Sequence, residues 1–165
     1  MRFKGLLIVL VLFAAAAIAS AQTKISGTLQ CAKPDPAYSI DVGDEAGHAM
    51  LMVKVACTWP TPVQMGGSSA KDGYSIAWTE VRGGKTSESG IHVGTMANGD
   101  KLYVRFQGTG TTAPDHSGSV SGTWSFTGGT GKLKGLTGKG TYKTTNAADG
   151  TGSSAIEGEY ATPAP

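Results

Sequence analysis

The chain has 165 residues, of which 14 are basic, 12 are acidic and 25 are glycine. Two of the basic residues, Arg2 and Lys4, lie at the N-terminus, so the chain after residue 21 carries 12 basic and 12 acidic residues. This neutral balance, without a run of Lys or Arg, gives no electrostatic reason to expect nucleic acid or an anionic membrane as a partner.

The N-terminus has the three parts of a secretory signal. Arg2 and Lys4 precede an apolar stretch over residues 6–18, and an Ala-Ser-Ala site follows at residues 19–21. An uncleaved anchor is the alternative, but the stretch is shorter than the roughly 20 apolar residues that a bilayer span needs. We predict cleavage after residue 21, no membrane association afterwards, and one domain over residues 22–165 that is secreted or periplasmic.

The only two cysteines, Cys31 and Cys57, follow the signal. An even count in an oxidising compartment predicts a disulfide, with two buried free thiols as the alternative. No Cys-x-x-Cys motif is present, so the predicted bond is structural.

Period-2 alternation of apolar and polar residues recurs after the signal, and no sustained helical periodicity does. The alternating runs are residues 25–31, 38–42, 74–78, 91–93, 102–107, 120–126 and 156–160. Residues 50–59 are more continuously apolar, as in a central strand or a strand buried on both faces. Asn98-Gly99 predicts a hairpin with a tight primed turn, and Gly83-Gly84 and Asp149-Gly150 are further turn candidates.

About eight short strands predict an all-β fold, a single antiparallel β-barrel, with a β-sandwich as the alternative. Glycines within the strands, such as Gly122, Gly140 and Gly158, suit bent barrel strands or close packing across the interior. If the interior holds a cavity, Gly122 and Gly158 are expected to leave space in it.

The glycine-rich residues 122–142, GTWSFTGGTGKLKGLTGKGTY, lack the spacing of a phosphate-binding loop and predict two strands joined by a turn. This segment resembles a family of small secreted bacterial proteins of unassigned function, as do TMANGDKLYVRFQGTGT (95–111), EGEY (157–160) and CAKPDPAYSIDVGDEAGHAMLMVKVACTW (31–59). The Gly-Thr-Gly-Lys-x-x-Gly pattern at 129–135 is more distantly similar to the eight-stranded barrel of allene oxide cyclases and dirigent proteins. That similarity implies a barrel able to hold an apolar ligand, and none of that group's active-site residues is carried over to this sequence.

An acidic segment, residues 41–48, ends in His48, which precedes the apolar strand and is expected near a barrel mouth. Its spacing fits neither a calcium loop nor a zinc site, so we predict a polar loop and no metal. Aromatic residues at strand spacing are either ordinary core or the lining of a ligand cavity. The candidate ligand-binding residues are His48, Trp59, Trp78, Tyr103 and Arg105; Arg105 alternates with the apolar residues of its strand, so it is an outward charge unless that face is internal.

No nucleophile motif, catalytic residue or cofactor signature is evident, so catalysis is not predicted. The leading hypothesis is non-catalytic binding of a small apolar molecule inside the barrel. The alternatives are an isomerase or cyclase acting on a lipid-like substrate and a structural or surface protein with a filled barrel. The three hypotheses differ in what they expect of the interior: an apolar cavity, a cavity with convergent polar groups, or a packed core.

Overall fold

The computed structural model describes residues 22–162, so the predicted signal at residues 1–21 lies outside the described residues. Apart from one 3₁₀ turn, Gly131–Leu133, the described chain forms strands and their connections. The strands are β1 (Thr23–Cys31), β2 (Ala37–Asp41), β3 (Ala49–Thr58), β4 (Gln64–Met65), β5 (Ser68–Arg82), β6 (Lys85–Met96), β7 (Lys101–Thr112), β8 (Gly118–Gly129), β9 (Thr137–Asn146) and β10 (Gly152–Ala161). Between residues 22 and 162, no helix is long and apolar enough to span a bilayer.

Eight strands close into an antiparallel barrel, which confirms the predicted fold. Their order around the wall is β1, β10, β9, β8, β7, β6, β5 and β3, and β3 returns to pair with β1. Two strands add to this wall: β2 continues the line of β1 along β3, and the short β4 pairs with the start of β5. Closure satisfies the backbone groups that an open sheet would leave at its edges.

The strand over residues 50–59 is central, but the prediction that both of its faces could be buried is wrong. Its odd-numbered residues face the interior, whereas Met50 and Met52 on the outer face are 44% and 46% exposed. Across the neighbouring strands, Tyr38 and Trp78 are register partners of Met52 and are also exposed. The apolar run therefore reflects one face toward the interior and a second apolar face toward solvent.

Aromatic rings inside the barrel lie against glycines of the adjacent strands. Trp124 of β8 covers Gly140 and Gly158, where an added Cβ would lie 2.6 Å from its ring at each position. Tyr142 of β9 covers Gly122 and Gly108 in the same way. These glycines allow close packing across the interior, as their spacing predicts, because a side chain at any of them would occupy the place of a ring.

One end of the barrel is closed by apolar side chains. The core at this end is formed by residues of the connections and of the strand ends. Its almost fully buried members are Met65, Met96, Leu133 and Leu136. At the opposite end lie the β2–β3, β5–β6, β7–β8 and β9–β10 connections, so the two ends of the barrel differ in packing.

The three predicted turns connect strands as expected, but one has a different geometry. Gly83 and Gly84 both have positive φ and join β5 to β6 directly. At Asn98-Gly99 only Gly99 has positive φ, 88°, and its N–H donates to the Met96 carbonyl. The β6–β7 hairpin is thus confirmed, but its turn is a longer type with a single left-handed glycine rather than a primed two-residue turn.

The predicted disulfide is confirmed: Cys31 and Cys57 are bonded, with their Cα atoms 4.1 Å apart. They are register partners between β1 and β3, where the ladder contains only two residue pairs. The neighbouring pairs along the wall are far longer, such as the nine-residue match of β1 with β10. The disulfide therefore reinforces the narrowest seam in the barrel wall.

We expect the double substitution Cys31→Ala, Cys57→Ala to lower the free energy of unfolding by about 3–4 kcal/mol, because the bond closes a loop of 26 residues. Urea denaturation of the parent and the variant under oxidising conditions measures this difference. Equal midpoints would show that the seam holds without the bond.

We expect Gly99→Val to destabilise the protein by about 1 kcal/mol or more, because a β-branched residue resists positive φ. No atom lies within 4 Å of an added Cβ at this position, so the loss would come from the backbone and not from a clash. Gly99→Asn is the matched control, since Asn tolerates the left-handed region and should cost less. The same denaturation midpoint measures both, and equal losses for Val and Asn would contradict this account.

Candidate functional site

The barrel encloses a cavity of about 940 Å³ that extends to the end opposite the apolar core. At its inner end the cavity is lined by Ile25 and Met65, and at its outer end by residues of the connecting loops. Pro114 and His116 of the β7–β8 loop line it and are exposed, so the cavity reaches the protein surface there. A volume of this size falls within the range of small-molecule sites.

The side chains on the two sides of the cavity wall differ in size. The side formed by β3 and β5 contributes aliphatic and other small side chains. They include Leu51, Val53, Val55, Ala77 and Thr79. The opposite side carries the aromatic rings that cover the glycines, including Trp124 and Tyr142. The side chains on the β3–β5 side are therefore the smaller ones, and the expectation of free space beside Gly122 and Gly158 is wrong because rings cover both glycines.

A carboxyl–phenol pair lies on the aromatic side of the cavity. Glu88 of β6 and Tyr142 of β9 belong to one cross-strand row, with Gly108 and Gly122 between them. Because neither glycine has a side chain, the Tyr142 ring extends over both and its hydroxyl donates to Glu88 Oε1 at 2.7 Å. The pair thus depends on two glycines at matching positions of β7 and β8.

The surroundings shift the titration of both members. Burial raises the pKa of Glu88, although the hydrogen bond from Tyr142 acts in the opposite direction. Burial, and then the nearby charge of Glu88 and the hydrogen bond to it, raise the pKa of the Tyr142 phenol. The phenol therefore remains a proton donor, and an ionised Glu88 is less well solvated here than in water.

A second polar pair lies on the neighbouring strands. Ser75 Oγ of β5 and His92 Nδ1 of β6 are 3.0 Å apart, and both residues line the cavity. Burial lowers the pKa of His92 to about 4, so the imidazole is neutral near pH 7. A neutral imidazole has one nitrogen that donates a hydrogen bond and one that accepts, so it can hydrogen-bond to a ligand in either role.

His48, predicted at a barrel mouth, is found there, at the end of the β2–β3 loop. Its Nδ1 lies 2.5 Å from Asp44 Oδ1 and its Nε2 lies 3.1 Å from Glu80 Oε1. Arg82 donates to Asp44 at 2.7 Å and pairs with Glu45 at 2.6 Å. The hydrogen bond between His48 and Asp44 raises the pKa of the imidazole and lowers that of the carboxyl. These contacts hold the loop against the end of β5.

The acidic segment does not gather into a metal site. Among residues 22–162, no group of three or more His, Cys, Asp or Glu side chains is arranged to hold a metal ion. The carboxylates near His48 are instead paired with it and with Arg82.

The structure brings together only part of the predicted ligand-binding set. His48 and Trp59 line the cavity. Trp78, Tyr103 and Arg105 lie on the outward-facing positions of β5 and β7 and do not line it. Alternation along β7 had already indicated an outward Arg105.

Sequence reasoning missed Glu88, His92 and Tyr142. In the middle of β6 the apolar Ile91 and Val93 do not line the cavity, whereas the polar Glu88 and His92 do. Hydrophobic alternation therefore pointed to the wrong face of this strand. The available signal was the glycine pattern of β7 and β8, which marks where a large ring from a neighbouring strand fits.

No protein-family model matches the chain, and a comparison with curated proteins finds no match either.

We expect Glu88→Gln to raise the urea midpoint at pH 7. The raised pKa means that the folded state favours the protonated carboxyl. The stability that Glu88 contributes is therefore fully present below its ordinary pKa of 4.5. It is lost as the pH rises through the pKa of the folded state. Gln removes the charge and still accepts from Tyr142. The gain should shrink as the pH falls toward 4.5.

The control is Glu157→Gln, which removes one carboxylate from an exposed position on β10. It should give no comparable gain at pH 7. A Glu88→Gln variant that is less stable than the parent at pH 7 would contradict the assignment of Glu88 as a carboxyl that is costly to ionise.

Proposed function

We propose that this protein binds a small, largely apolar molecule inside the barrel, without catalysis, outside the cytoplasm. The cavity of about 940 Å³ carries this proposal, because its lining is mostly apolar and it reaches the surface at one end. Such a cavity, with a few polar groups placed among apolar walls, is typical of small-molecule sites.

Three further observations agree with the proposal. The Cys31–Cys57 disulfide is compatible with an oxidising compartment. The interior contains a cavity of about 940 Å³ that the described side chains do not fill, which disfavours the hypothesis of a filled structural barrel. The distant resemblance to the allene oxide cyclase and dirigent barrel implies a ligand-holding interior, and that resemblance remains a prediction.

A second candidate function is isomerisation or cyclisation of a lipid-like substrate in the same cavity. The observation that favours it is the presence of titratable groups in an apolar site: Glu88 with its raised pKa and His92 with its lowered pKa. In this case Glu88→Gln would abolish conversion of a bound substrate while leaving its binding, whereas a pure binding protein would release its ligand unchanged.

We expect Val53→Trp to block ligand binding while the barrel stays folded. Val53 is a half-buried residue of β3 that faces the cavity, so an indole there fills space that a ligand would occupy. The matched control is Met52→Trp, which places the same side chain on the exposed outer face of the same strand. The measurement is fluorescence titration with the neutral apolar probe N-phenyl-1-naphthylamine.

The parent and Met52→Trp should bind the probe, and Val53→Trp should not. Native mass spectrometry of protein purified from its own host should in addition show a bound mass that Val53→Trp lacks. If the parent binds no probe and Val53→Trp is destabilised by about 1–3 kcal/mol, the interior has no usable space and the proposal is wrong.

A further inference from the structure

Apart from the histidines, the charged side chains that line the cavity are of one sign. Glu88 contributes a carboxyl group, as do Asp41 and Asp72 at more exposed positions, and among the described residues that line the cavity there is no Lys or Arg. Lys71, which lies 3.8 Å from Asp72, is not a lining residue. An anionic ligand head would therefore meet carboxylates in this cavity and no basic side chain to pair with.

The histidines that line the cavity do not supply a free positive charge to balance these carboxyl groups. His92 is neutral near pH 7, since its pKa is about 4. Both ring nitrogens of His48 are already within hydrogen-bonding distance of carboxylates. His116 is exposed at the mouth, away from the inner cavity.

Glu88 is the acidic residue best placed to bind a ligand. Its Oε1 accepts from Tyr142, which fixes the carboxyl on the wall, and Oε2 has no partner among the described residues. No fully buried side-chain nitrogen or oxygen among the described residues lacks a partner, so Oε2 is not completely buried. The site thus presents one oriented carboxyl group, with no protein partner at Oε2, in a mostly apolar lining.

We propose that the cavity selects an apolar molecule that carries a protonated amine, with the ammonium group bound to the Glu88 carboxylate. This inference rests on the proposed binding function and specifies its ligand class. A cation offsets the desolvation of the carboxylate, whereas a fatty-acid head would add a second desolvated negative charge. The aliphatic β3–β5 side would receive the hydrocarbon portion.

The test compares three ligands of equal chain length, dodecylamine, dodecanol and dodecanoate, at pH 7 and below their micellar concentrations. Each competes with N-phenyl-1-naphthylamine for protein purified from its own host, and isothermal titration calorimetry checks the dissociation constants. We expect dodecylamine to bind at least about tenfold more tightly than dodecanol, because hydrogen bonds between charged groups are stronger than those between neutral ones. We expect dodecanoate to bind most weakly of the three.

Glu88→Gln should remove the preference for dodecylamine over dodecanol, because Gln offers no charge to the ammonium group. Glu157→Gln, which removes an exposed carboxylate outside the barrel, should keep the preference and so excludes a general effect of net charge. Dodecanoate binding as tightly as dodecylamine, or an amine preference that survives in Glu88→Gln, would overturn the amine assignment but leave the binding function intact. If neither the probe nor any of the three ligands binds, the proposed function itself fails.

Discussion

The interior of this barrel depends on aromatic rings that lie against glycines of neighbouring strands. Trp124 occupies the space above Gly140 and Gly158, and Tyr142 occupies the space above Gly108 and Gly122. Because an eight-stranded barrel is only just wide enough for side chains to fill, a ring can lie flat across adjacent strands only where those strands lack side chains. A Cβ at any of these glycines would displace a ring and disturb the packing on that side.

This packing is uneven around the barrel, and the unevenness creates the site. The rings cover the wall on one side, while β3 and β5 present smaller aliphatic side chains to the cavity. The Tyr142 ring packs over Gly108 and Gly122, and in that position its hydroxyl reaches Glu88. The two glycines therefore allow both the packing of the ring and the hydrogen bond to the carboxyl. A largely buried carboxyl with a raised pKa costs stability at neutral pH, and groups perturbed in this way are common at functional sites.

Much of the fold could be predicted from the sequence because its signals are local. Strand alternation identified the all-β class, glycines within the strands favoured a barrel over a sandwich, and the cysteine count identified the Cys31–Cys57 bond. The candidate site could not be predicted equally well. In β6 the apolar Ile91 and Val93 lie outside and the polar Glu88 and His92 lie inside, so hydrophobicity alone assigned no residue of this strand to the cavity.

By itself the sequence determined the all-β class, the hairpin positions and the disulfide, since each follows from alternation, turn residues or the number of cysteines within a short span. Only the tertiary structure decided which face of each strand is internal, because that depends on cross-strand register around the closed barrel. Register brings Glu88 and Tyr142, 54 residues apart, into one row with two glycines between them. Closure also decided where space remains, since the volume left inside depends on which walls carry rings and which do not.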